Sequence, residues 1–183
     1  HHLNKQSGVF NKAHILRDRM KLTKEDGETV YLELFDSNDP LRNRYQVTQQ
    51  VKLEGSYKNR FDVTILVNGL PLVQIELKRR GLEMKEAFNQ IQRYQKHTFW
   101  SGHGLFHFVQ LFVISNGVNT KYYANTPVNR RDFKQTFFWA DEENKTIRQL
   151  SEFAEDFLEK CTPSKMITKY TLLHESDPLW MAL

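Results

Sequence analysis

Apolar and polar residues alternate along this chain in two periods, and the switches between them divide it into elements. At the start, Leu16, Met20 and Leu22 sit among His14, Arg17, Arg19 and Lys21 with no clean period. Asp26-Gly27 then reads as a turn, and Thr29 to Phe35 is rich in β-formers and predicts a strand. After a break at Asp39-Pro40, Tyr45 to Val51 alternates with the period of two of a half-buried strand. The strongest local signal is the pair of β-rich runs Phe61 to Val67 and Leu70 to Lys78. They are joined at Asn68-Gly69, which supplies the positive φ of a tight hairpin. From Leu82 to about His97 the positions Met84, Ala87, Phe88, Ile91 and Tyr94 recur at steps of three and four, the stripe of an amphipathic helix.

Gly102 and Gly104 mark a loop, after which Gln110 to Ile114 is a nearly continuous apolar run, as in a strand buried on both faces. Asn116-Gly117 turns it into Lys121-Tyr122-Tyr123, a second hairpin. Ile147, Leu150, Phe153, Ala154, Phe157, Leu158 and Cys161 form a last helical stripe, expected to end before Pro163. The order β-β-helix-β-β-helix predicts an α/β (α+β) fold, with a mixed central sheet and a hairpin flanked by helices.

The chain has 183 residues, the size of one domain, and shows no repeat, low-complexity block or Pro/Gly linker. Apolar residues make up 39% and aromatic residues 13%, enough core-forming material to exclude a disordered tail. The longest apolar stretch, Leu105 to Ile114, is broken by His107 and Gln110 and falls short of the ~20 residues a membrane helix needs. Cys161 is the only cysteine, so no internal disulfide forms. With no basic-then-apolar leader at the start, a cytoplasmic location is expected. His1 and His2 are given no function. The net charge is only +4, but basic residues cluster at Arg42 and Arg44, Lys58 and Arg60, Lys78-Arg79-Arg80, and Arg130-Arg131, which suits a polyanion partner.

Candidate chemistry centres on the hairpin. Asp62 lies near the start of one strand, and Glu76 and Lys78 near the end of the other. Residues two apart share a face, so Glu76 and Lys78 project together, and the fold-back at Asn68-Gly69 brings Asp62 toward them. Two carboxylates beside an ammonium make a hard, oxygen-rich site of the kind that holds Mg²⁺. The register decides whether the site exists. A strict two-residue turn carried through the hairpin sets Asp62 opposite Ile75 and puts Glu76 on the other face, so the shared site requires an odd loop or a bulge. The plainer reading of Glu76-Leu77-Lys78 is a solvated strand exit.

On the following helix, Gln90 and Tyr94 are four apart and share a face. Together these residues resemble the PD-(D/E)xK nuclease superfamily, with Asp62 and Glu76-x-Lys78 as its core motif and Phe61 where the superfamily often has Pro. Gln90-x-x-x-Tyr94 is similar to a motif of its RecB-related branch. Asn68-Gly69-Leu70-Pro71-Leu72 leading into Glu76-x-Lys78, with Gly27 to Tyr31 and Ile114 to Gly117, resembles the N-terminal endonuclease domain of the type I restriction enzyme R subunit over roughly residues 9 to 160.

That resemblance implies a single nuclease domain, 1–183 with a core of about 9–160, forming the N-terminal fragment of a larger motor-containing subunit. It implies that Asp62, Glu76 and the backbone carbonyl of Leu77 bind Mg²⁺, for which Mn²⁺ substitutes, and that Lys78 positions or deprotonates a water. Gln90 and Tyr94 would orient Lys78, the water or the DNA backbone. The implied partners are double-stranded DNA and the methylation and specificity subunits, with no membrane. The chain has no Gly-x-x-x-x-Gly-Lys-Ser/Thr loop, so ATP is expected on the full-length subunit and not on this segment. Lys58, Arg60, Arg79, Arg80, Arg130 and Arg131 are candidate phosphate contacts. Phe99 and Trp100 are candidate base stackers, and His97, His103 and His107 a weaker candidate zinc set. The alternatives are a non-catalytic DNA-binding or assembly module that keeps the fold, and a repair nuclease of the same superfamily.

Overall fold

A computed structural model of the chain describes residues 8–53, 59–94, 104–126, 131–159, 161–174 and 180–182. In chain order the elements are α1 (Val9–Arg17), β1 (Arg19–Thr23), β2 (Thr29–Glu33), β3 (Tyr45–Leu53), β4 (Asn59–Val67) and β5 (Leu70–Leu77). Then come α2 (Met84–Tyr94), β6 (Leu111–Ser115), β7 (Thr120–Ala124), β8 (Trp139–Ala140) and β9 (Thr146–Ile147). The last are α3 (Leu150–Phe157), α4 (Cys161–Lys165), β10 (Leu172–His174) and β11 (Trp180–Ala182).

Strands β3-β4-β5-β6-β7 form one five-stranded sheet. All its pairs are antiparallel except β5 with β6, which run parallel. A parallel neighbour needs a crossover, and α2 lies in that connection. The mixed sheet with flanking helices is the architecture expected above, and it is consistent with a restriction-endonuclease-like fold. Two apolar clusters sandwich the sheet. One joins Ile65, Val73, Ile75, Leu111 and Val113 to Leu16, Phe153, Phe157, Met166 and Ile167. The other joins Phe112, Ile114 and Tyr123 to Met84, Ala87, Phe88, Ile91 and Tyr94, the stripe read from the sequence of α2. Every residue of β6 is buried, as its unbroken apolar run demands.

Two stretches that the sequence reading described fold differently. The aperiodic start contains a helix, α1, and a strand, β1, which pairs with β2 in a separate two-stranded sheet. Its period is obscured because Lys12 lies on the core side with Phe10, Ala13 and Leu16; it is 1% exposed, and its Nζ sits 4.7 Å from the centre of the Phe108 ring. The final stripe is not one helix. Ile147 belongs to β9, α3 stops at Phe157, and α4 begins at Cys161 with Pro163 inside its first turn. Proline is tolerated there because the first-turn N–H groups have no intrahelical acceptor.

The hairpin of β4 and β5 has an even, two-residue turn, and the bulge that the shared site then requires. Asn68 and Gly69 have φ of 52° and 81°, a two-residue turn that pairs Val67 with Leu70 and Leu66 with Pro71. The register then shifts, and Ile65 faces Val73, Thr64 faces Gln74 and Val63 faces Ile75. Leu72 is the extra residue of a β-bulge. Carried one residue further, the shifted register sets Asp62 opposite Glu76.

Candidate active site

The end of β5 is held from both sides. The backbone N–H of Leu77 donates to Asp62 Oδ2 at 2.8 Å, and the N–H of Lys78 donates to the Ser115 carbonyl of β6 at 2.7 Å. These bonds fix where Glu76 and Lys78 project. Lys78 Nζ donates to Glu76 Oε1 at 3.0 Å and also to Gln90 Oε1 on α2. The Gln90 amide in turn donates to the Tyr94 hydroxyl, and that hydroxyl donates to the Arg60 carbonyl at 3.2 Å. The relay runs one way, from the ammonium through an amide and a phenol to the backbone of β4. Phe61 supports it: its ring stands edge-on to Tyr94 with centroids 5.0 Å apart and stacks on Phe106, also at 5.0 Å.

Glu76 is 1% exposed. Burial, and next the charge of Asp62, push its carboxyl up to about 7, while the hydrogen bond and charge of Lys78 pull it the other way. Its Oε1 is satisfied by Lys78, but Oε2 is buried with no hydrogen-bond partner. A buried, unpaired carboxylate oxygen costs several kcal/mol in a dry interior, and such an orphan beside a second carboxylate is what a cation relieves. The donor set fits a divalent ion that prefers oxygen. Among the described residues there is no cluster of three or more His, Cys, Asp or Glu, and a pair of carboxylates suits an ion that keeps part of its water. These groups open into a cleft of about 620 Å³ lined by Arg60, Asp62, Glu76, Lys78, Gln90 and Tyr94, with Leu77, Arg79 and Leu82.

All five candidate catalytic side chains, Asp62, Glu76, Lys78, Gln90 and Tyr94, therefore meet at one cleft. Of the candidate phosphate contacts, Arg60 and Arg79 line it and are exposed. Arg80 is exposed but lies toward the Gly117 turn. Arg131 is not at the cleft. Its guanidinium donates to Asn125 Oδ1 at 2.6 Å and lies 5.7 Å from the Phe112 ring centre, with Nε and Nη1 buried, and burial lowers its pKa to about 10. Lys58, Arg130, His97, His103, Phe99 and Trp100 lie outside the described residues, and His107 is in a 3₁₀ turn over Leu105–Phe108. Sequence reasoning missed the part played by the Arg60 carbonyl, which anchors the relay. A backbone acceptor leaves no mark on residue identity, so no signal could have found it.

The profile of the family described as type I restriction enzyme R protein N terminus matches residues 5–131. A Staphylococcus saprophyticus protein named as the endonuclease subunit of a type I restriction enzyme is 48% identical over 177 residues, which cover 96% of this chain and 18% of the relative. A Staphylococcus aureus protein with the same kind of name is 46% identical over 175 residues, again 96% of this chain and 18% of the relative. The endonuclease subunit of the EcoprrI type I restriction enzyme of Escherichia coli is 44% identical over 175 residues, 94% of this chain and 56% of that protein. The chain thus spans about a fifth of the staphylococcal relatives.

Proposed function

Given that the chain belongs to the family of type I restriction enzyme R protein N termini, we propose that it hydrolyses phosphodiester bonds of double-stranded DNA with the help of a divalent metal ion. The observation that carries this reading is the buried, unpartnered Oε2 of Glu76 beside Asp62 and Lys78. Asp62, Glu76 and the Leu77 carbonyl would hold the ion, Mg²⁺ with Mn²⁺ as its substitute. When bound, such an ion supplies Lewis-acid activation of a phosphate and a lower pKa for water.

The remaining work falls to the chain's own groups. Lys78, already held by Glu76 and Gln90, orients the attacking water and offsets the negative charge that grows on the phosphate. Charge stabilisation preorganised in this way is typically the largest contribution to rate, and each ~1.4 kcal/mol is tenfold. Gln90 and Tyr94 keep the ammonium from collapsing fully onto Glu76. Arg60 and Arg79, at the mouth of the cleft, contact phosphates without reading bases, so cleavage has no sequence preference of its own. Sequence choice then rests with specificity and methylation subunits, and ATP with the rest of the subunit.

Calorimetric titration with Mn²⁺ tests the reading, comparing wild type with Asp62→Ala and Glu76→Ala, each checked for folding by circular dichroism. Saturable wild-type binding that either substitution abolishes is the expected result. Equal titrations in all three would overturn the paired-carboxylate site.

A further inference from the structure

β5 is buried from Leu70 to Glu76, on both faces of the sheet. A strand of this kind has no polar face to mark which side is which, so apolar alternation specifies its register weakly. Two registers compete in this hairpin. Without the bulge at Leu72, Thr64 would face Val73, Val63 would face Gln74, and Asp62 would face Ile75, which separates the two carboxylates. With the bulge, Thr64 faces Gln74.

That pairing brings together two polar side chains, both 0% exposed, and Thr64 Oγ1 donates to Gln74 Oε1 at 2.7 Å. The Gln74 amide is satisfied in turn by the Ile75 carbonyl at 3.2 Å. In the slipped register the glutamine would lie opposite valine, and both residues would lose this bond while remaining inside the protein. An unmade buried hydrogen bond is penalised more heavily than a made one is rewarded. A single buried polar pair can therefore choose between two packings of similar apolar content, as buried polar residues do for coiled-coil register.

We propose that Thr64 and Gln74 are positioning residues that lock the bulged register of the β4–β5 hairpin and so keep Asp62 opposite Glu76. The proposal rests on the metal-site reading above for its consequence, though not for the lock itself. Neither residue touches the cleft: the lining includes Asp62 and Glu76 but not their strand neighbours two positions further in.

The test combines cross-strand NOEs in the full 183-residue chain with Mn²⁺ titration. Wild type shows proximity of positions 63 and 75. Thr64→Val, close to isosteric, and Gln74→Leu are each expected to add a second set of NOEs linking positions 63 and 74, and to weaken Mn²⁺ binding by about tenfold or more. Thr64→Ser, which keeps the hydroxyl, restores a single register and wild-type affinity. The double variant Thr64→Val/Gln74→Leu removes both buried polar groups, so it keeps the fold while still showing mixed registers. A single 63–75 register with wild-type Mn²⁺ affinity in both single variants and the double variant would overturn the lock. Wild type that binds no Mn²⁺ would remove the metal-site reading alone, because the NOE pattern still decides the register.

Discussion

Lys78 Nζ, just past the end of β5, lies 3.0 Å from Glu76 Oε1 two residues back, an ion pair that joins a nearly inaccessible carboxylate to a partly exposed ammonium. The ammonium compensates the carboxylate but also repels a second cation. Lys78→Met is therefore expected to leave Mn²⁺ binding at pH 8 intact or slightly tighter. DNA cleavage by the assembled restriction complex should fall by about 10²- to 10³-fold, the usual scale for a lost group that stabilises developing charge. Cleavage close to wild type would remove Lys78 from the chemistry.

The raised Glu76 carboxyl has a consequence for stability. With a folded value of about 7 against an ordinary 4.5, the folded chain binds more protons than the unfolded chain between those pH values. Stability at this site is therefore greatest below pH 4.5 and falls as pH rises through 7. Glu76→Gln should raise the unfolding free energy at pH 8 by on the order of 1–3 kcal/mol and leave it unchanged near pH 4. Urea denaturation at the two pH values measures this directly, and an equal gain at both would assign the effect to packing.

Metal uptake is expected to follow the same titration. Below pH 7 an ion must displace the Glu76 proton, so Mn²⁺ affinity should fall by up to about tenfold per pH unit and level off above pH 8. Calorimetry near pH 7 in buffers of different ionisation enthalpy should show a released proton. Binding that is flat from pH 6 to 8 would place the ion elsewhere.

Tyr94 joins the two halves of the site through a single oxygen. Tyr94→Phe keeps the edge-on contact with Phe61 but leaves the Gln90 amide and the Arg60 carbonyl without their shared partner. We expect a loss of about 1 kcal/mol in stability and about tenfold in cleavage, with Mn²⁺ affinity unchanged. Phe61→Ala, which removes the support beneath the ring, should cost more, about 3–5 kcal/mol.

Asn68 does more in the turn than adopt a positive φ. Its Oδ1 accepts from the Arg44 N–H at 2.8 Å, and its Nδ2 donates to the Leu34 carbonyl and to Asn43 Oδ1. Glycine would suit the φ of 52° without strain but would lose all three bonds. Asn68→Gly is thus expected to lower stability by about 1–3 kcal/mol in thermal melts, the reverse of the change that backbone propensity alone implies.

Much of this architecture is written in local pattern. The stripe of α2, the Asn68-Gly69 turn and the fully buried run of β6 are readable because each obeys one period or one turn chemistry. The bulge was legible only indirectly: Pro71, which cannot donate to the ladder of a central strand, stands beside it, and the two carboxylates could not meet without it. Other features depend on tertiary context. Lys12 breaks the period of α1 because its ammonium rests on Phe108, far along the chain. Arg131 looks like half of a surface dibasic pair, yet its guanidinium packs over Phe112. Phe61, a departure from the superfamily's proline, is explained by the rings of Tyr94 and Phe106, which the sequence does not place.

The bonds that assemble the cleft join residues close together along the chain. They span 2, 4, 12, 15, 34 and 37 residues. The ties that close the rest of the fold are far longer, such as those from Arg17 to the carbonyls of Ile167 and Thr171, which span 150 and 154. Short loops close at little entropic cost, and contacts of low sequence separation form early. The hairpin and helix that line the cleft are thus expected to form before the clasp of Arg17 on residues 167–171. Damage to that clasp should lower the folding yield and leave the geometry of the cleft in the folded molecules unchanged.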